Sequence, residues 1–214
     1  MKSEVFNMDC MEGMKQYPDK YFDLAIVDPP YGINMDGGKI GGNNCSKAKD
    51  YIQKDWDKEP PSAQYFNEVI RVSKNQIVWG ANHFISNIPF NSSCWVVWDK
   101  DNSGNFADCE LAWTSFNTAV RKFTWRWNGM LQQNMKDKEI RIHPTQKPIA
   151  LYQWLLHNYA KEGDKILDSH LGSGSSRIAC DKAGFDFVGF ELDKDYFEAQ
   201  EKRFKQYKSQ LTLF

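Results

Sequence analysis

The sequence predicts an α/β fold, a mostly parallel twisted sheet with helices on both faces, and three observations carry that prediction. Short apolar runs such as Leu24-Ala25-Ile26-Val27 and Lys165-Ile166-Leu167 have the length of buried strands. Segments with apolar residues at helical spacing recur along the chain. The two junctions richest in Gly, Pro and carboxylates, Asp28-Pro29-Pro30-Tyr31 and Asp168 to Ser175, each follow an apolar run directly. That is the strand end at which open α/β sheets bind ligands.

The elements follow in order. Residues 5–8 read as a strand, 11–16 as a short helix, Pro18-Asp19 as a turn and 22–27 as a second strand, together one β-α-β unit. Residues 32–60 then break the pattern with Gly32, Gly37-Gly38 and Gly41-Gly42-Asn43-Asn44 before Pro60-Pro61. A loop of that length in a compact domain is usually functional, and its place behind Tyr31 predicts a mobile lid. Tyr65, Phe66, Val69 and Ile70 mark a helix that Ser73-Lys74-Asn75 should close. Strands are expected at 76–79, 95–98 and 111–114. From Arg121 to Asn128 alternation puts Arg121, Phe123, Trp125 and Trp127 on one strand face and Lys122, Thr124, Arg126 and Asn128 on the other. A helix at 148–160, a strand at 165–167, a helix at 175–183 stopped by Gly184, a strand at 187–190 and a helix at 194–206 complete the chain.

Composition narrows the function. The 214 residues suit one domain, without repeats, and no apolar run is long enough to span a bilayer. The first residues enter a strand without the apolar stretch of a signal peptide, so a cytoplasmic location is expected. Cys10, Cys45, Cys94, Cys109 and Cys180 are scattered and include no C-x-x-C pair, while His83, His143, His157 and His170 show no metal-ligand spacing. Neither a disulfide framework nor a metal is indicated. A formal net charge of −1 disfavours sequence-blind electrostatic binding of nucleic acid. Cations do concentrate locally: between Arg121 and Lys147 there are seven basic residues against two acids. Lys122, Arg126 and Arg141, interleaved with aromatics, are the candidates for nucleic-acid contact, beside the plainer reading of a solvated strand face.

The first junction suits chemistry on an exocyclic base amine. Such a nitrogen is a poor nucleophile because its lone pair is delocalised into the ring, and a catalyst localises that pair by accepting its protons. Asp28 can accept one and the Pro29 carbonyl the other. Pro29 and Pro30 fix φ and remove two N–H donors, which stiffens the acceptor. Tyr31 is placed to stack on a base turned out of its helix.

The second junction suits an adenosine-containing ligand that lacks a phosphate cradle. In Asp168-Ser169-His170-Leu171-Gly172-Ser173-Gly174-Ser175 the glycines allow close backbone approach at a helix start. Ser175 stands where a P-loop has lysine, and Arg177 where a dinucleotide fold has its third glycine. Glu191 ends the next strand at a position suited to ribose hydroxyls. These departures point to S-adenosylmethionine, whose cationic sulfonium suits Asp168 and Asp28 as neighbours.

With these residues in view, the sequence resembles the β class of DNA amino-methyltransferases over nearly its whole length. The matches are Asp28-Pro29-Pro30-Tyr31, then His143-Pro144-Thr145-Gln146-Lys147-Pro148, then Asp168, Gly172, Ser173 and Gly174, and finally Glu191. The resemblance implies a Rossmann-like S-adenosylmethionine-dependent fold with a circularly permuted motif order and a small target-recognition region at 99–142. It implies that Asp28, Pro29, Pro30 and Tyr31 hold the target base. Asp9, Cys10, Thr145, Gln146, Lys147, Asp168, His170, Gly172, Gly174 and Glu191 would surround the cofactor, with Lys147 a partner for its carboxylate. Ser169-His170 departs from the family's Pro-Phe, and His170 is expected to be packed and neutral. The implied substrate is the N6 amine of a flipped-out adenine in double-stranded DNA, since Asp at position 28 accompanies adenine in the family and Ser accompanies cytosine. The alternatives are cytosine N4, or a catalytically impaired binding subunit. The resemblance further suggests a bacterial or phage-encoded protein of the restriction-modification type, and leaves open a homodimer and a cognate restriction enzyme.

Overall fold

The structure is a computed structural model that describes residues 1–40, 49–102, 107–128 and 131–211. Its strands are β1 (Ser3–Asn7), β2 (Phe22–Val27), β3 (Gly38–Ile40), β4 (Lys49–Tyr51), β5 (Ser73–Trp79), β6 (Trp95–Asp99), β7 (Cys109–Thr114), β8 (Arg121–Thr124), β9 (Trp127–Asn128), β10 (Leu131–Gln132), β11 (Lys165–Asp168) and β12 (Asp186–Glu191). The α-helices are α1 (Cys10–Met14), α2 (Ala63–Val72), α3 (Ile149–Tyr159), α4 (Ser175–Ala183) and α5 (Lys194–Leu211).

Eight strands form one sheet in the order β1-β12-β11-β2-β5-β7-β6-β8. Its pairings are parallel except where β7 runs against β5 and β6. The buried run of β2 explains its central position. Leu24 and Ile26 point into a core shared with Leu151, Leu155 and Ala179 of α3 and α4, while Ala25 and Val27 point into the core under Tyr65, Phe66 and Val69 of α2. A strand covered on both faces has no room for polar alternation. Burying each of these large apolar side chains contributes roughly 1.5–3 kcal/mol.

Three details differ from the expected elements. The first two strands are parallel members of one sheet but are separated in space by β12 and β11. Ser73 closes α2 as expected, its hydroxyl donating to the Val69 carbonyl at 2.5 Å, but it also opens β5, three residues before the strand expected at 76–79. The alternating stretch 121–128 divides into β8 and β9 because Trp125 and Trp127 turn their N–H groups to the carbonyls of Asp99 and Lys100. Its side-chain pattern nevertheless holds. Phe123 stacks on Trp125 at 5.9 Å and packs against Trp154 of α3, and Trp127 is buried, while Lys122 and Arg126 face outward.

Within 32–60, β3 and β4 pair antiparallel, and Ile33, Met35, Tyr51 and 54–57 line the cleft described below. Its Gly41-Gly42-Asn43-Asn44 stretch lies outside the described residues.

Candidate active site

Strand order creates the crevice. From β2 the chain crosses through α2 to β5 on one side, whereas from β11 it crosses through α4 to β12 on the other, although β2 and β11 are adjacent. Asp28 and Asp168 therefore stand on either side of a topological switch point, where a sheet splays its loops apart. The cleft above it has a volume of about 1340 Å³, bounded by the loops after β1, β2, β11 and β12, by 143–147 and by 54–57.

At one end lies a buried charge network. The Lys147 ammonium is 2.6 Å from both Asp28 oxygens, 3.0 Å from the Tyr31 hydroxyl and 3.0 Å from Glu110 Oε2. Tyr31 in turn donates from its hydroxyl to Asp28 Oδ1 at 2.7 Å. Glu110 also pairs with Lys100. Burial raises the Asp28 carboxyl above its ordinary range, and the nearby Glu110 charge adds to the effect while Lys147 opposes it. Burial would raise Glu110 too, but two ammonium groups, Lys147 and Lys100, hold it at about 2. Lys147 stays charged because its two carboxylates outweigh its desolvation.

The backbone at Tyr31 is fixed from a distance. Asp57, 2% exposed, accepts from the N–H groups of Tyr31 at 2.7 Å, Gly32 at 2.9 Å and Met35 at 2.7 Å. Gly80 lies in the left-handed region at φ +69, and any Cβ there would stand 2.0 Å from Tyr31 Cε1. The Tyr31 ring stacks on His83 with centroids 5.1 Å apart and an interplanar angle of 17°. β2 ends at Val27, which leaves the Pro29 carbonyl beyond its ladder.

The other end is built on the glycine loop. Gly172 takes φ +51 and donates its N–H to Glu191 Oε2 at 2.7 Å, while Glu191 Oε1 accepts from Asp193 N at 2.8 Å. Each Glu191 oxygen keeps a further lone pair for a ligand hydroxyl. Asp9 caps α1 by accepting from Met11 N at 2.8 Å, and its neighbour Cys10 approaches His170 Nε2 at 4.0 Å. Burial pushes the Cys10 thiol up to about 12, so it is no nucleophile. Burial also lowers His170 to about 4, and the ring packs against Tyr65 as a neutral imidazole. His143, lowered to about 3 by burial and then by Lys147, accepts at Nδ1 from the Thr145 N–H at 3.4 Å. Its ring lies between Trp56 and Tyr196.

Of the sequence-predicted residues, Asp9, Cys10, Asp28 to Tyr31, Thr145 to Lys147, His170, Gly172, Glu191 and Arg141 all line this cleft. The Lys147 ammonium is held by Asp28, Glu110 and the Tyr31 hydroxyl. Asp168 and Gly174 lie beneath the wall. Asp168 is 1% exposed and accepts from Ser176 Oγ at 2.5 Å and from His170 N at 3.1 Å, so it shapes the loop from below. Gly174 caps α4 at φ +71 against Gln200. Gln146 also works on its own segment, accepting from Ile142 N and leaving its carbonyl to Trp127 Nε1. The Arg141 guanidinium lies 4.5 Å over the Trp127 ring. Lys122 and Arg126 lie instead on the exposed edge beyond the cleft, paired with Asp99 and Asp101.

Sequence reasoning missed Glu110, Lys100, Asp57, Trp56 and His83. Only Glu110 carried a signal, a carboxylate inside the otherwise strand-like Cys109-Glu110-Leu111-Ala112-Trp113.

Asp168 makes a pH prediction. Burial, aided by Asp28 and Glu191, raises its carboxyl to about 7. A carboxyl whose folded pKa exceeds its unfolded one contributes stability at low pH that is lost as pH rises through the folded value. The melting temperature of the ligand-free protein should fall as pH rises from the ordinary carboxylate range to about 7, and Asp168→Asn should flatten that slope in a fluorimetric melt.

Comparison with known proteins agrees with this geometry. A family model described as DNA methylase, for N6 and N4 methyltransferases, matches residues 97–202, a stretch that includes His143 to Pro148, the glycine loop and Glu191. The Type II methyltransferase M2.DpnII of Streptococcus pneumoniae is 26% identical over 243 residues, covering 94% of this chain and 89% of its own length. The fold is that of the M1.HpyAVI–SAM complex, with TM-score 0.58 and 20% identity over 94% of this chain and 98% of that one. It is equally that of the cytosine-N4-specific PvuII DNA methyltransferase, with TM-score 0.62 and 13% identity over 95% and 86%. Residues 97–202 thus match the N6/N4 family of DNA methylases, and nearly the whole chain is similar to Type II methyltransferases.

Proposed function

We propose that the protein transfers a methyl group from S-adenosylmethionine to the N6 amine of an adenine flipped out of duplex DNA. The observation that carries this reading is that a buried carboxylate joined to an aromatic hydroxyl, Asp28 with Tyr31, and a ribose-type acid, Glu191, open into one switch-point cleft.

The residues fit the methyl donor. Burial raises both Asp28 and Glu191, the two carboxyls that line the cleft, and a cationic ligand there suits them. Glu191 and the Gly172 turn would hold the ribose side, with Asp9 and Cys10 beside the adenine. When bound, the cofactor supplies an electrophilic methyl group on a sulfonium. The protein's part is to prepare the nitrogen. Asp28 and the Pro29 carbonyl accept the two amine hydrogens, the lone pair localises, and the proton released on alkylation passes to Asp28. Neither Cys10 nor His170 takes part in bond making.

Fold and cleft alone do not separate adenine from cytosine, because both present a conjugated exocyclic amine. Asp at position 28 favours adenine. On the DNA side, Arg141 faces the cleft, and the exposed pairs of Lys122 and Arg126 are weak enough to exchange carboxylate for phosphate. Incubating the protein with duplex DNA and labelled cofactor, followed by mass spectrometry of the nucleosides, should yield N6-methyladenine. Methylation found only at cytosine N4 would overturn the choice of base.

A further inference from the structure

We infer that Glu110 is a positioning residue that draws the Lys147 ammonium away from Asp28 when the target amine enters. The inference rests on the reading above, in which Asp28 accepts an amine hydrogen.

The difficulty it resolves is visible in the geometry. Both Asp28 oxygens are engaged by Lys147 at 2.6 Å, and Oδ1 also takes the Tyr31 hydroxyl. A neutral amine competes poorly with an ammonium for a buried carboxylate, since charge-assisted hydrogen bonds are about twice as strong as neutral ones. An Asp28 held in this way is a weak acceptor. Lys147 must therefore have somewhere else to go, and burial at 2% exposure denies it water.

Glu110 supplies that place. Its Oε2 is already 3.0 Å from the ammonium and 3.4 Å from the Tyr31 hydroxyl, so the exchange needs a small displacement and no new partner. Its carboxyl is held at about 2 and stays ionised throughout the working range. Lys100 completes the balance: two carboxylates, Asp28 and Glu110, face two ammoniums, Lys147 and Lys100. Moving Lys147 between them changes no net charge and transfers no proton. β7 presents Glu110, and the antiparallel pair Trp98↔Glu110 with β6 brings Lys100, two residues beyond Trp98, alongside. The ammonium of Lys147 is thus shared between the loop after β2 and strand β7, and the incoming base decides which carboxylate keeps it.

Glu110→Gln keeps the shape and weakens the second carboxylate. Single-turnover methylation of duplex DNA should slow by roughly 10- to 100-fold, the value of one charge-assisted hydrogen bond, while the Kd for S-adenosylmethionine measured calorimetrically stays unchanged. Glu110→Asp should recover part of the rate. The double variant Glu110→Gln with Lys100→Met restores charge balance without restoring the second carboxylate, and should remain slow. A wild-type rate in Glu110→Gln overturns the inference. So does a slow rate that Lys100→Met rescues, or one accompanied by equal losses in cofactor affinity and melting temperature, because each of these marks a structural role. A wild-type protein that methylates no DNA would fail the underlying reading, a result separable from any behaviour of the variants.

Discussion

Asp28→Ala should lose methyl transfer by on the order of a thousandfold or more and still bind S-adenosylmethionine. The expectation follows from the separation of the two ends of the cleft. Glu191, Gly172 and Asp9 form their contacts without help from Asp28. Removing the carboxylate takes away the acceptor that localises the amine lone pair, and nothing at the other end replaces it. Stability should suffer less than activity, because Lys147 keeps Glu110 as a partner. Asp28→Asn, which preserves volume but offers a weaker acceptor and a donor of its own, should be nearly as impaired. Labelled-cofactor transfer to duplex DNA beside calorimetric binding tests the claim. Near-normal transfer in Asp28→Ala would remove Asp28 from the mechanism.

Lys147→Met should strike folding first. It leaves Asp28 and Glu110 side by side in the protein interior with Lys100 as the remaining cation of the network. Breaking a buried pair by deleting one partner typically destabilises by about 3–5 kcal/mol. For a chain of this size that corresponds to a melting temperature lower by roughly 6–20 °C. The deficit should shrink as pH falls. Without its ammonium neighbour the raised Asp28 carboxyl protonates more readily, and a group with a raised folded pKa returns its stability below that value. A variant melting like the wild type would show that the network does not hold the interior together.

The sheet was legible because its strands advertise burial. Leu24 to Val27 and Ile166-Leu167 are apolar throughout, short, and followed by Asp, which is the pattern of a strand buried on both faces. Helix ends were legible where glycine marks them, as at Gly184. The strand at Ser73 was not, because nothing polar or flexible separates it from α2. Motif residues gave the two ends of the cleft but not the Asp28 and Glu110 pairing of Lys147, since a sequence shows which residues belong together in a family and not which charges meet a buried ammonium. Burial decides that, and burial here depends on β7. The pairings of Glu110 and Asp57 were invisible for the same reason: their partners lie 37 and 26 positions away.

Asp57 sets a limit on how far the tetrapeptide can be treated as a module. Three backbone N–H groups at Tyr31, Gly32 and Met35 converge on its carboxylate, and Gly80 clears the space for the Tyr31 ring. Grafting Asp-Pro-Pro-Tyr onto another strand end would transplant the reactive groups without the parts that aim them. The heritable unit is a discontinuous one, four residues plus an acid from a loop and a glycine just past the end of the neighbouring strand. An engineer moving this chemistry to a new scaffold would have to carry all three.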